Sequence, residues 1–241
     1  MKLIFSIFYT LIGYLFLFPV TALFVFIGLI LNSLKLNNLV SKNVGIWARA
    51  TFFIMGKSLN IIGKENMNPE EKYILMANHS SLFDIMAIMW IYPNVSWFGR
   101  AYLIEVPLFG KLLKSIKYVP MQTTNLRNTK LMLEQLISVT ENRTIAIFPE
   151  GTRTETGEMN RFHKGFLHVL KATELTILPV TLCGFFDFKP KNRFYFNYSS
   201  KLTAVIHPPI KFEDIKDFED NEIIEILQKK IKSPIKQQLK Y

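Results

Sequence analysis

No charged residue falls between Lys2 and Lys35, and this apolar run restricts the fold more than any other feature of the chain. It exceeds the ~20 residues that one membrane helix needs and falls short of the ~40 that two full spans would need. Pro19 sits in its middle, where proline removes a helix hydrogen bond and kinks or breaks the helix. Lys2 flanks one end, and Lys35 and Lys42 flank the other, so the charge asymmetry that would orient a span is missing. The pattern predicts a helix–Pro–helix hairpin that dips into one leaflet and returns to the cytoplasmic side. A single kinked span is the competing reading. The run is too long for the ~7–15-residue apolar core of a cleaved signal peptide. Trp47, Phe52 and Phe53 then fall at amphipathic spacing and predict another helix. Residues 1–56 are thus expected to be membrane-associated helices, and residues 57–241 a separate α/β domain.

Composition agrees with a membrane surface. The 241-residue chain is 49% hydrophobic, carries 21 Phe, and sets 29 Lys+Arg against 19 Asp+Glu. Such a chain suits anionic lipid better than nucleic acid, whose binding modules need no long charge-free segment. A nucleic-acid partner is therefore not expected. The one cysteine, Cys183, excludes a disulfide framework and argues against a cysteine-based zinc site.

Beyond residue 57, apolar runs alternate with amphipathic ones. Strands are predicted at 58–63, 73–76, 95–100, 116–120, 144–149 and 176–182, with helices at 85–91, 128–142, 162–173 and 213–238. A short helix with Lys111 and Lys114 follows Val106–Gly110. Residues 194–198 and 202–207 read as a late antiparallel pair. Strands alternating with helices argue for an α/β fold with a mixed, largely parallel sheet flanked by helices.

At one strand-to-helix junction stands Met76-Ala-Asn-His-Ser-Ser-Leu-Phe-Asp84, a polar cluster where α/β proteins place chemistry. On a helix, residues five apart point roughly 140° away from each other. His79 and Asp84 meet only if His79 precedes the helix and the chain bends back at Ser80 or Ser81, either a suitable N-cap. A carboxylate on one imidazole nitrogen fixes the tautomer and raises the basicity of the other, giving a general base for a hydroxyl. The alternative is a capped helix with a first-turn Asp complementing the dipole. A second cluster, Phe148-Pro-Glu-Gly-Thr-Arg153, also follows an apolar strand. Gly151 permits an unusual backbone angle, and Arg153 offers a planar fork suited to phosphate. A surface turn with a salt bridge is the competing reading.

Together the two clusters resemble the glycerolipid acyltransferases. Asn78-His79-Ser80-Ser81-Leu82-Phe83-Asp84 matches the N-H-x-x-x-x-D signature of that family, and Phe148–Arg153 matches its F-P-E-G-T-R block. Pro107–Gly110, Phe162–Gly165 and Ile177–Val180 agree as supporting blocks. The resemblance covers roughly residues 57–212 and is closest to the 1-acylglycerol-3-phosphate type. It implies an O-acyltransferase on the cytoplasmic face of the cell membrane. Lysophosphatidic acid would be the acceptor, and acyl-CoA or acyl-carrier-protein the thioester donor, with no metal and no cofactor. It implies His79 and Asp84 as the catalytic pair and Gly151 and Arg153 as acceptor-phosphate contacts. Glu150 would brace the site, while Thr152, Asn78, Lys114 and His163 join the substrate-binding set. The oxyanion would be met by backbone N–H groups at Ser80 or in the Gly151 turn. One block departs: where the family carries an arginine after a short strand, this chain reads Tyr118-Val-Pro-Met-Gln122. Lys114, Lys117 and Arg127 are the cations near that gap. A lysolipid acceptor without phosphate, and a lipid-binding protein without catalysis, are the rival readings.

Overall fold

The computed structural model describes residues 2–105, 109–121 and 125–238. Val106, Pro107, Leu108 and Gln122, which belong to two of the sequence blocks above, lie outside the described residues. Seven strands form one sheet: β1 (Leu59–Ile62), β2 (Ile74–Ala77), β3 (Val95–Arg100), β4 (Val119–Met121), β5 (Thr144–Ile147), β6 (Ile177–Cys183) and β7 (Leu202–Ile206). Their order is β1-β7-β6-β2-β5-β3-β4. Every pairing is parallel except β6 with β7, so the sheet is mixed and largely parallel.

Helices cover both faces. The described helices are α1 (Lys2–Ser33), α2 (Asn37–Ile54), α3 (Phe83–Ile91), α4 (Phe109–Ser115), α5 (Leu126–Thr140), α6 (Gly165–Thr173), α7 (Phe185–Phe188) and α8 (Asp220–Gln238). The central strand β2 shows why both faces need cover. Leu75 and Ala77 point into a core shared with α2, α3 and α7, whereas Ile74 and Met76 point into one shared with α5, α6 and α8. A strand buried on both faces has no polar alternation, and β2 reads Ile-Leu-Met-Ala. The sheet carries the carboxyl ends of β2, β5, β3 and β6 to one edge, where open α/β sheets bind ligands.

Two expectations change. Pro19 does not break the first helix, which runs unbroken from Lys2 to Ser33; the hairpin turns instead at Leu34–Leu36. The α1 rod is held against the protein on both sides of the proline. Phe196 N–H donates to Thr10 Oγ1 (2.9 Å) on one side, and Trp47 Nε1 donates to Thr21 Oγ1 (3.1 Å) on the other. Asn43 Nδ2 donates to the Phe24 carbonyl at 2.9 Å. One missing helix bond is tolerated where neighbouring elements fix the chain. The second change is in residues 194–198, which form no strand. Their backbone is spent on α1 and α7: Phe196 N–H goes to Thr10, and Asn197 N–H to the Phe188 carbonyl (2.9 Å). The edge of β7 is taken by β1.

Helix α8 contains a second proline, Pro234, and shows how such a gap is closed locally. The Lys230 carbonyl loses its usual N–H partner at Pro234 and accepts the Ser233 hydroxyl at 3.0 Å instead.

Candidate active site

Strand β2 delivers Asn78 and His79 to the ligand edge. Asn78 is buried, and its amide adds one rung between β2 and β6: Nδ2 donates to the Leu182 carbonyl (3.0 Å), and Oδ1 accepts Leu182 N–H (2.7 Å). Both polar atoms of its side chain are thus paired with the β6 backbone. The chain then bends back as the five-residue spacing requires, and His79 Nδ1 lies 2.9 Å from Asp84 Oδ2. The same oxygen accepts the N–H groups of Ser80 (2.6 Å) and Ser81 (2.8 Å). The carboxylate reaching back from α3 caps the bend, and the Ser81 hydroxyl also accepts Phe83 N–H at the start of that helix (3.3 Å). Asp84 is fully buried, and its Oδ1 has no hydrogen-bond partner among the described residues.

An ionised carboxylate only accepts, so Nδ1 must carry the proton, and Nε2 holds the lone pair. The imidazole cannot swing freely. It stacks on Phe148 at 4.0 Å and 6°, and Phe148 stacks in turn on Trp97 at 5.2 Å. Nε2 makes no hydrogen bond among the described residues, and the ring is 14% exposed. This is a fixed imidazole with one open nitrogen.

Glu150 joins the two motifs. It is 1% exposed; Oε1 accepts His79 N–H (2.6 Å), and Oε2 accepts Asn160 N–H (2.7 Å). The His79 carbonyl accepts Thr154 N–H at 2.9 Å, so the backbone of His79 is held on both sides by the loop after β5. Burial raises the Glu150 pKa to about 7, with the Asp84 charge adding to it against the two N–H donors. Gly151 closes the turn at φ +66°, its N–H donating to the Phe148 carbonyl (3.0 Å). A Cβ there would sit 3.2 Å from His163 Cδ2, so His163 packs over the turn; its own N–H donates to the Pro149 carbonyl (2.8 Å).

Three of the N–H groups expected near the oxyanion are already taken. The N–H groups of Ser80 and Ser81 are committed to Asp84, and that of Gly151 to Phe148. Thr152 is exposed and Arg153 half-buried at the rim, and Arg153 makes no ion pair among the described residues. Lys114 is exposed in the last turn of α4, with no described contact to His79, Glu150 or Arg153.

Sequence reasoning missed Arg100. It ends β3 in register with Met121, beside the position where the family's arginine is absent. Its Nη2 donates to the Gly151 carbonyl at 3.5 Å, a long contact that brings a guanidinium to the Arg153 turn. The usable signal was a cation at the carboxyl end of a strand, because a parallel sheet gathers such ends on one edge.

A family model described as Acyltransferase matches residues 58–183, just over half of the chain. The chain is 31% identical over 188 residues to the 1-acyl-sn-glycerol-3-phosphate acyltransferase of Cocos nucifera, covering 76% of this chain and 59% of that protein. It is 27% identical over 187 residues to the enzyme of that name from Borreliella burgdorferi, covering 76% and 74% respectively. The chain thus spans little more than half the length of the plant relative. The crystal structure of the LPA acyltransferase PlsC from Thermotoga maritima shares the fold, with a TM-score of 0.83 over 99% of this chain and 98% of that one at 24% identity. The matched segment contains both motifs that build the site, and this chain belongs to the acyltransferase family.

Proposed function

We propose that this protein transfers a fatty acyl group from a thioester donor to the free hydroxyl of 1-acylglycerol-3-phosphate, making phosphatidic acid for phospholipid biosynthesis. The observation that carries this reading is the His79–Asp84 pair, its Nε2 without a hydrogen bond among the described residues and its backbone held by Glu150 and Thr154. The names of the relatives supply the substrate class.

In the proposed reaction, the acceptor hydroxyl gives its proton to His79 Nε2 as its oxygen attacks the thioester carbonyl. Asp84 holds the imidazole in the required tautomer and stabilises the imidazolium. The tetrahedral intermediate collapses, the C–S bond breaks, and the leaving thiolate takes the proton back from Nε2. No acyl-enzyme forms. Arg153, with Arg100 on the neighbouring strand, holds the acceptor phosphate, and Glu150 holds the backbone of the base. Acyl-CoA and acyl-carrier-protein both satisfy this chemistry. Purified protein offered both donors should acylate lysophosphatidic acid; acylation only of lysolipids without phosphate would overturn the acceptor assignment.

The proposed membrane location is argued from α1. Its ends are about 48 Å apart at helical rise. Contacts with the protein run from Thr10 to Phe24, so one face of the rod stays on protein over the stretch a span would need for lipid. Its other face exposes Phe5, Phe8, Phe16, Phe18, Leu23 and Phe26. The helix is proposed to lie in one leaflet, on the cytoplasmic side, with the site at headgroup height. Replacing Phe16, Phe18 and Phe26 together by alanine should weaken binding to anionic vesicles at least ~100-fold in a flotation assay, since each ring loses ~1.5–3 kcal/mol of burial.

A further inference from the structure

Cations stand on both flanks of His79. Beyond β5, Arg100 leans on the Gly151 turn. Beyond β2, strand β6 runs through Gly184 and α7 into Lys189. The second flank is tied to His79 through Ser81 and Asp84: Ser81 Oγ donates to the Lys189 carbonyl at 2.7 Å, and Ser81 N–H donates to Asp84.

Lys189 is half-buried, and its ammonium makes one hydrogen bond among the described residues, to the Pro190 carbonyl (3.0 Å). Burial depresses its pKa, and the positive charges of Arg153 and Arg193 depress it further. Arg193 is fixed in place. Its Nη2 donates to the carbonyls of Asp187 and Phe188, its Nε donates to that of Tyr195, and its guanidinium lies over the Tyr195 ring. Among the described residues no carboxylate pairs with Arg153, Lys189 or Arg193, whereas Lys191, two residues on, pairs with Glu155 at 2.9 Å. Three like charges gathered without a counterion, one of them drawn partly out of water, cost free energy that an arriving anion relieves.

We propose that Lys189, backed by Arg193 and sharing Arg153, is a specificity-determining ligand for the acceptor's phosphate. The inference rests on the acyl-transfer reading above and supplies a cation that the Met121 position lacks. Acceptor chemistry favours this assignment over a donor phosphate. In 1-acylglycerol-3-phosphate the attacking hydroxyl and the phosphate sit on adjacent carbons, so the phosphate must bind beside the base. The phosphate of a pantetheine carrier lies a full arm's length from its sulfur.

The test is steady-state kinetics of the full chain in neutral detergent micelles, comparing wild type, Lys189→Gln and Lys189→Arg. Acceptors are lysophosphatidic acid and monoacylglycerol. Loss of a charge-assisted contact should raise KM for lysophosphatidic acid about tenfold in Lys189→Gln, with kcat changed less than about twofold. Lys189→Arg should restore it, and monoacylglycerol kinetics should not move. Inorganic phosphate should compete with lysophosphatidic acid in the wild type and more weakly in Lys189→Gln. An equal penalty on both acceptors, or one that appears only when anionic lipid is added to the micelles, overturns the proposal. A wild type that acylates nothing sinks the parent reading instead. Binding then decides the present one: glycerol 3-phosphate should raise the Tm of the wild type but not of Lys189→Gln, and equal shifts would refute it.

Discussion

Replacing His79 by alanine is expected to lower kcat by about 10³-fold or more while leaving the protein folded. The two effects separate because different parts of the residue carry them. The fold depends on the backbone of His79, whose N–H is held by Glu150 and whose carbonyl is held by Thr154. Alanine keeps both. The chemistry depends on the ring, which is lost together with one of the three donors to Asp84 Oδ2. A general base is worth ~10²–10⁴ in rate, and one lost hydrogen bond costs about 1 kcal/mol. Thiol release by the purified variant and its urea midpoint measure the two terms. Asp84→Asn should be nearly as inactive. An amide oxygen in place of Oδ2 still accepts all three donors, but it carries no charge to stabilise the imidazolium, and its NH2 takes the buried place of Oδ1, which has no partner among the described residues.

Glu150→Ala is expected to damage fold and function together. Two buried N–H groups, of His79 and Asn160, lose their acceptor at once. Each unsatisfied donor costs ~1–3 kcal/mol, partly offset by no longer burying a carboxylate. A net loss of about 2–4 kcal/mol and a fall in kcat of at least ~100-fold should follow, read by denaturation and by the acyl-transfer assay. Gln keeps one acceptor and should fall between. The same group sets a pH dependence. Its folded pKa, about 7, lies above the ordinary value of 4.5, so between those limits the folded chain holds a proton that the unfolded chain has lost. Its contribution to stability is therefore greatest below about 4.5 and declines as the pH rises to about 7. Activity runs the other way, because only the carboxylate accepts both N–H groups. The acidic limb of kcat/KM should contain a group near pH 7 that is absent in Glu150→Gln.

Local spacing was readable from the chain, whereas partners distant in sequence were not. The five-residue interval from His79 to Asp84 dictated a bend before the helix, and the bend is there. The spacing did not say that the bend consumes the N–H groups of Ser80 and Ser81, because that depends on which way the carboxylate points. Strand positions followed from apolar runs, but residues 194–198 carry the same β-rich pattern and fold against α1 instead. Propensity cannot see that the neighbouring sheet edge is already taken by β1. Pro19 does not decide the helix for the same reason: its cost is local, while the contacts that hold α1 come from residues 43, 47 and 196. Arg100 and Lys189 escaped notice because each lies on a strand or loop separate from both motifs, and only the sheet order brings them to flank the base.

The most direct test of the account is acceptor-dependent thiol release. Purified wild type in neutral micelles, given acyl-CoA or acyl-carrier-protein, should release thiol only when lysophosphatidic acid is present, with one phosphatidic acid formed per thiol. The same mixture with His79→Ala should stay near background. Thiol release at an undiminished rate without acceptor, or undiminished transfer by His79→Ala, would contradict an imidazole that takes its proton from the lipid hydroxyl.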